Sequence, residues 1–250
     1  MAASIRTSGG RSGRGRRWLL AAAVALLVLL AVAMVYVTDY YRAGEESVRV
    51  EAGSGVMKID GGWAVGDEGS ESGLIFYPGG KVEARSYLPL LRRVADGGVF
   101  AVLCEMPLNL AVLDLNAADR MIERFPRVRR WAVGGHSLGG SMAAQYAANN
   151  PGKVGGLVLL ASYAPSALPE GVPALAVYGS EDGVMNRDRY ALALELLPEY
   201  EEVVIPGGNH AKFGDYGPQS GDGEGAVPAE EQQEAAARAI LSFLSAQRAG

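Results

Sequence analysis

Two regimes of hydrophobicity divide the chain. From Trp18 to Val37 twenty consecutive residues carry no charge, whereas beyond Asp39 the apolar residues come in short runs separated by polar and glycine-rich stretches. At about 1.5 Å per residue the first segment makes a helix about 30 Å long, enough to cross a hydrocarbon core. Beyond it, alternation at 48–52 and 56–60, followed by 63–66, predicts leading antiparallel strands. A regular strand and helix alternation then begins. Strands are predicted at 73–77, 99–106, 131–135, 156–161, 174–178 and 202–205, and helices at 83–95, 114–125, 138–150, 187–197 and 230–246. Pro89 fits its helix if the regular part starts near Ser86, so that the proline falls in the first turn. The run at 99–106 is apolar except for Glu105, as expected of a strand buried on both faces. Such a succession implies an α/β fold: a mostly parallel sheet with helices on both faces. Residues 214–229, rich in Gly, Asp and Pro, read as a surface loop.

Charge sharpens the division. The formal net charge of the 250 residues is -5. Five arginines (Arg6, Arg11, Arg14, Arg16, Arg17) and no acids precede Thr38, which leaves 18 basic against 28 acidic residues in the rest. An acidic main part lacks the basic face that phosphate neutralisation needs, so no nucleic-acid partner is expected. The organisation expected is a disordered basic tail (1–17), a transmembrane helix or signal anchor (18–37), a juxtamembrane link (38–46) and one globular domain (47–250). Tyr36, Tyr40 and Tyr41 suit an interfacial belt, and the positive-inside rule puts the N-terminus in the cytoplasm and the domain outside it. The length of the apolar run favours a retained anchor. Ala31-Val32-Ala33 resembles a cleavage site, and Arg16-Arg17-Trp18 a twin-arginine signal, so secretion after cleavage is the alternative. Cys104 is the only cysteine, which excludes an intramolecular disulfide and a thiolate metal cluster; neither metal nor organic cofactor is implied.

Candidate chemistry centres on Gly135-His136-Ser137-Leu138-Gly139, between a predicted strand and a predicted helix. This is the G-x-S-x-G form of a nucleophile elbow, in which the serine occupies a strained turn at the sheet edge. A serine hydroxyl needs a base and an acid that orients the base. Of the two histidines, His136 lies within the elbow, where its side chain should point away from Ser137, so His210 in Pro206-Gly207-Gly208-Asn209-His210 is the base candidate. The acid candidate is Asp182 in Ser180-Glu181-Asp182-Gly183, with Glu181 as the local alternative; Asp-Gly is also a common turn pair. An oxyanion hole would take the N–H of Leu138 and that of Gly80, with Lys81 next, because Pro78 cannot donate.

The motifs Gly135–Gly139, Ser180–Gly183 and Gly208–His210, in the chain order Ser137, Asp182, His210, make the chain resemble the α/β-hydrolase superfamily from about Gly73 to the C-terminus. Tyr77-Pro78-Gly79-Gly80 stands where many members have a His-Gly pair. The resemblance implies a serine hydrolase acting on small-molecule carboxylic esters or related acyl bonds through an acyl-enzyme, and the apolar run 18–37 makes it membrane-anchored. Where many members insert a lid, residues 162–173 are all that separate the strands, so an open site is expected. Lys81, His136, Lys212, Phe213 and Tyr216 are candidate substrate contacts, the last three also being candidates for packing the 214–229 loop. Perhydrolysis, C–C hydrolysis or acyl transfer on the same triad, and a non-catalytic anchored binding module, are the alternatives.

Overall fold

The computed structural model describes residues 12–247. They divide into two compact units that meet between Tyr40 and Tyr41. In the first, α1 (Ser12–Thr38) is one continuous helix whose stretch Gly15–Thr38 is long and apolar enough to cross a membrane. Residues 12–17, assigned to the basic tail by composition, belong to this helix; the rest of that tail lies outside the described residues. A helix nucleated in the Leu-, Ala- and Val-rich stretch propagates back through these residues, since extension costs far less than nucleation.

The second unit is built on an eight-stranded sheet in the order β1-β2-β4-β3-β5-β6-β7-β8. Its strands are β1 (Val56–Ile59), β2 (Gly62–Val65), β3 (Ser72–Tyr77), β4 (Phe100–Cys104), β5 (Arg130–His136), β6 (Gly156–Leu160), β7 (Ala174–Gly179) and β8 (Tyr200–Ile205). The β1–β2 and β2–β4 pairs are antiparallel, and all pairs from β4 through β3 to β8 are parallel. Successive side chains alternate between two cores, as strand geometry requires. Leu74, Phe76, Ala101, Leu103, Val158 and Leu160 enter one core with α3 (Leu88–Asp96) and α7 (Ala229–Ala246). Ile75, Tyr77, Val102, Cys104, Leu157 and Leu159 enter the other with α4 (Ala117–Arg124) and α5 (Leu138–Asn149). Each fully buried leucine or phenylalanine contributes about 1.5–3 kcal/mol. Parallel pairing puts the C-terminal ends of β3, β5, β7 and β8 at one edge of the sheet, with the turns at 78–81, 137, 180–183 and 206–210.

Two expectations are corrected. Residues 48–52 are not a strand: 48–51 belong to α2 (Glu45–Glu51) and Ala52 is its C-cap. Glu45 and Glu46 complement the helix dipole, and Asp215 caps the first turn, accepting from Ser47 N–H at 2.7 Å and from its hydroxyl at 2.9 Å. Part of the segment 38–46, expected as a juxtamembrane link, belongs to the second unit from Tyr41 on. Tyr41 forms a bridge with Val82, and its ring lies 5.5 Å from that of Tyr216 at a tilt of 49°, so it is part of the folded unit.

Candidate active site

Ser137 is the hinge of the site. β5 delivers it to the sheet edge, and α5 starts at the next residue. Its backbone, at φ 51 and ψ -122, is in a region that costs a non-glycine residue about 1–3 kcal/mol. The surroundings impose this turn. Ser137 N–H donates to Leu160 O at 2.9 Å, and its carbonyl accepts from the Ser162 hydroxyl at 2.7 Å. The elbow is laid on the end of β3 so closely that a Cβ at Gly139 would lie 2.2 Å from Tyr77 O and 2.3 Å from Pro78 O. No side chain fits that gap.

Asp182 and His210 meet at the neighbouring strand ends. Asp182 Oδ2 accepts from His210 Nδ1 at 2.9 Å, and both side chains are buried. Asp182 Oδ1 takes the N–H groups of Val184 (2.9 Å) and Met185 (2.8 Å). Burial raises the Asp182 pKa, but the hydrogen bond and charge of His210, with those two N–H donors, outweigh it and hold the carboxyl below its ordinary range. Glu181 is exposed. Since a carboxylate accepts, the proton of a neutral His210 sits on Nδ1 and leaves Nε2 as a lone-pair acceptor. That Nε2 is buried and, among the described residues, has no hydrogen-bond partner; none joins it to Ser137 Oγ.

The turn after β3 has one N–H to spare. Gly79 N–H goes to Tyr87 Oη (3.1 Å), Lys81 N–H to Asn109 O (2.8 Å) and Val82 N–H to Gly79 O (3.3 Å). Among the described residues, Gly80 N–H has no acceptor. Its Cα rests on Leu138, whose Cδ2 would lie 2.9 Å from a Cβ at position 80. Leu138 begins α5, so its own N–H has no intrahelical acceptor. The Gly80 backbone therefore lies against the Leu138 side chain.

The other candidate contacts divide differently. Lys81 is half-buried in a left-handed conformation (φ 58). His136 is buried with both ring nitrogens engaged, by Tyr87 Oη (2.8 Å) and His210 O (3.0 Å), so it has no free edge for a substrate. Phe213 and Tyr216 are buried, their rings within 5.7 Å and 6.5 Å of His136. Lys212 Nζ donates to the carbonyls of Glu224 (3.0 Å), Gly225 (2.7 Å) and Val227 (2.8 Å). Lys212 thereby ties into residues 224–227, while Phe213 and Tyr216 are buried in the core with Tyr87. Sequence reasoning missed Tyr87, read only as an apolar helix residue, and Asp222, whose carboxylate accepts the N–H groups of Gly183, His210, Ala211 and Gly223. Residues 161–173, between β6 and β7, contain no helix or strand. Among the described residues, no group of three or more His, Cys, Asp or Glu side chains is placed to hold a metal ion.

A family model described as "Alpha/beta hydrolase family" matches residues 73–234. No curated protein matches the chain. Similar solved structures include a membrane phospholipase A described as a bacterial virulence factor (15% identity, 94% of this chain and 100% of that one, TM-score 0.59). Est1E from Butyrivibrio proteoclasticus follows at 17% identity, with 79% of this chain, 100% of that one and a TM-score of 0.57. A monoacylglycerol lipase from Paleococcus ferrophilus is 15% identical over 74% of this chain and 97% of that one, with a TM-score of 0.56. At these identities the likeness is one of fold.

Proposed function

Because the chain belongs to the alpha/beta hydrolase family and is a hydrolase of that fold, we propose that it cleaves carboxylic esters or related acyl bonds through Ser137, His210 and Asp182. The observation that carries this reading is the buried, unpartnered His210 Nε2. A buried acceptor left unsatisfied costs about 1–3 kcal/mol, a cost that a proton-accepting role explains. Ser137 Oγ attacks the acyl carbon as its proton passes to His210 Nε2, and Asp182 stabilises the imidazolium by its bond to Nδ1. The tetrahedral oxyanion takes the N–H groups of Gly80 and Leu138. Collapse releases the alcohol, protonated by His210, and water then attacks the acyl-enzyme by the same route. The absence of a bond between Ser137 Oγ and Nε2 in the free protein fits a contact that tightens when substrate binds.

An apolar acyl or alkyl part of the substrate is supported by the loop after β4. Leu108, Val112 and Leu113 are exposed there, Leu108 in a left-handed conformation (φ 53), and Asn109 of the same loop bonds to Lys81. The phospholipase and the monoacylglycerol lipase among the similar structures lend the same support. We read α1 as a retained anchor with the N-terminus in the cytoplasm, supported by its length and its basic flank. Ser137→Ala is expected to abolish turnover of an activated ester by the full-length protein without lowering its melting temperature. Retained turnover would refute the assignment.

A further inference from the structure

Tyr87 and His136 are both buried, and the chemistry above uses neither. The hydrogen bonds that tie them to the site have directions that can be worked out. A carbonyl oxygen only accepts, so the 3.0 Å contact between His136 Nε2 and His210 O puts a proton on Nε2. Burial, reinforced by the charge His210 acquires when protonated, keeps the His136 pKa well below the ordinary histidine range, so the ring is neutral and Nδ1 keeps its lone pair. The Tyr87 hydroxyl therefore donates to Nδ1 at 2.8 Å. Its oxygen accepts Gly79 N–H at 3.1 Å. An unbroken chain thus runs from the Gly79 N–H through Tyr87 and His136 to the backbone of His210.

Both ends of that chain sit on proposed machinery. Gly79 is held at its N–H by Tyr87 and at its carbonyl by Val82 N–H. In a trans peptide the C=O of one residue and the N–H of the next point in opposite directions, so fixing the Gly79 carbonyl aims the Gly80 N–H. The loop backbone lies directly on the pair: a Cβ at Gly79 would be 2.7 Å from Tyr87 Oη and 2.9 Å from His136 Nδ1. Around His136 the rings of Tyr87, His210, Phe213 and Tyr216 form an aromatic box. A leucine would fill such a box without the desolvation cost of an imidazole, so packing alone does not account for the polar pair.

We propose that Tyr87 and His136 are positioning residues that hold the oxyanion loop and the base in one register. The inference rests on the assignment of Ser137, His210 and Gly80 given above. Its test is steady-state hydrolysis of a p-nitrophenyl ester by the full-length protein, with kcat and KM separated, alongside melting temperature and labelling of Ser137 by a fluorophosphonate. Misplacing catalytic groups by about 1 Å costs about 100-fold, so Tyr87→Phe and His136→Leu are each expected to lower kcat about 10- to 100-fold. KM should stay within about twofold, since ground-state binding is untouched. His136→Gln, which offers one donor and one acceptor, should recover most of the kcat that His136→Leu loses. Undiminished kcat in Tyr87→Phe and His136→Leu, in a protein whose Ser137 labels, would overturn the inference alone. So would a glutamine no better than leucine, with kcat tracking only the folded fraction. Failure of the wild-type protein to label at Ser137 would overturn the underlying assignment and the inference with it.

Discussion

Asp222 offers the sharpest perturbation of the scaffold. Its Oδ1 accepts from Gly183 N–H (3.1 Å), His210 N–H (3.1 Å) and Gly223 N–H (2.9 Å), and its Oδ2 from Ala211 N–H (2.8 Å). One carboxylate thereby fastens the turn that carries Asp182 to the turn that carries His210. Asp222→Ala strips all four donors of their acceptor. Gly183 is exposed and Gly223 half-buried, so their N–H groups can turn to water. His210 and Ala211 are only 1% and 2% exposed, so their N–H groups are left orphaned. At about 1–3 kcal/mol for each buried unsatisfied donor, the expected loss is about 2–6 kcal/mol, a large part of a total stability of about 5–15 kcal/mol. Asp222→Asn keeps an oxygen for the Oδ1 contacts but turns an amide toward Ala211 N–H, so about half that loss is expected. Equilibrium urea unfolding of the full-length protein in detergent reads both variants, with ester turnover measured on the fraction still folded. An Asp222→Ala protein within about 0.5 kcal/mol of wild type would refute the reasoning, since that is the effect of an ordinary surface substitution.

Two further outcomes are expected. Gly139→Ala places a Cβ 2.2 Å from Tyr77 O, a backbone atom that cannot swing away, so the elbow cannot form and the variant should lose turnover and soluble expression together; a fully active Gly139→Ala would contradict the packing described. His136 is held neutral by burial and by His210, so the unfolded chain binds its proton at a higher pH than the folded one. Stability from this group is complete above about pH 6.5 and falls as the pH drops toward the depressed folded value, by as much as about 1.4 kcal/mol per pH unit. Urea unfolding between pH 7 and 5 should show that slope in wild type and a shallower one in His136→Gln; identical slopes would refute it.

Most of the architecture was legible because it rests on local signals. The apolar runs of β3 to β7 and the glycines around Ser137 announce strands and an elbow in a few residues each, and Asp182 and His210 follow strand ends in short turn motifs. What escaped depends on partners far along the chain. The alternation of Val48, Arg49 and Val50 suits a strand, but the cap that makes α2 a helix comes from Asp215, 168 residues from Ser47. Tyr87 shows an apolar period, yet its hydroxyl is committed to Gly79 and His136. Asp222 sits in a stretch whose composition says only loop. Lys212 illustrates the same limit: a lone lysine after the candidate base suggests a substrate contact, and only folding brings three carbonyls around its Nζ.

The central claim is that Ser137 is an activated nucleophile whose base is His210. Labelling the full-length protein with a fluorophosphonate and mapping the adduct by peptide mass spectrometry tests it most directly. The account predicts one adduct, on Ser137, lost in His210→Ala while that variant remains folded. An unlabelled Ser137 in folded wild-type protein, or labelling that survives His210→Ala at the wild-type rate, would contradict it.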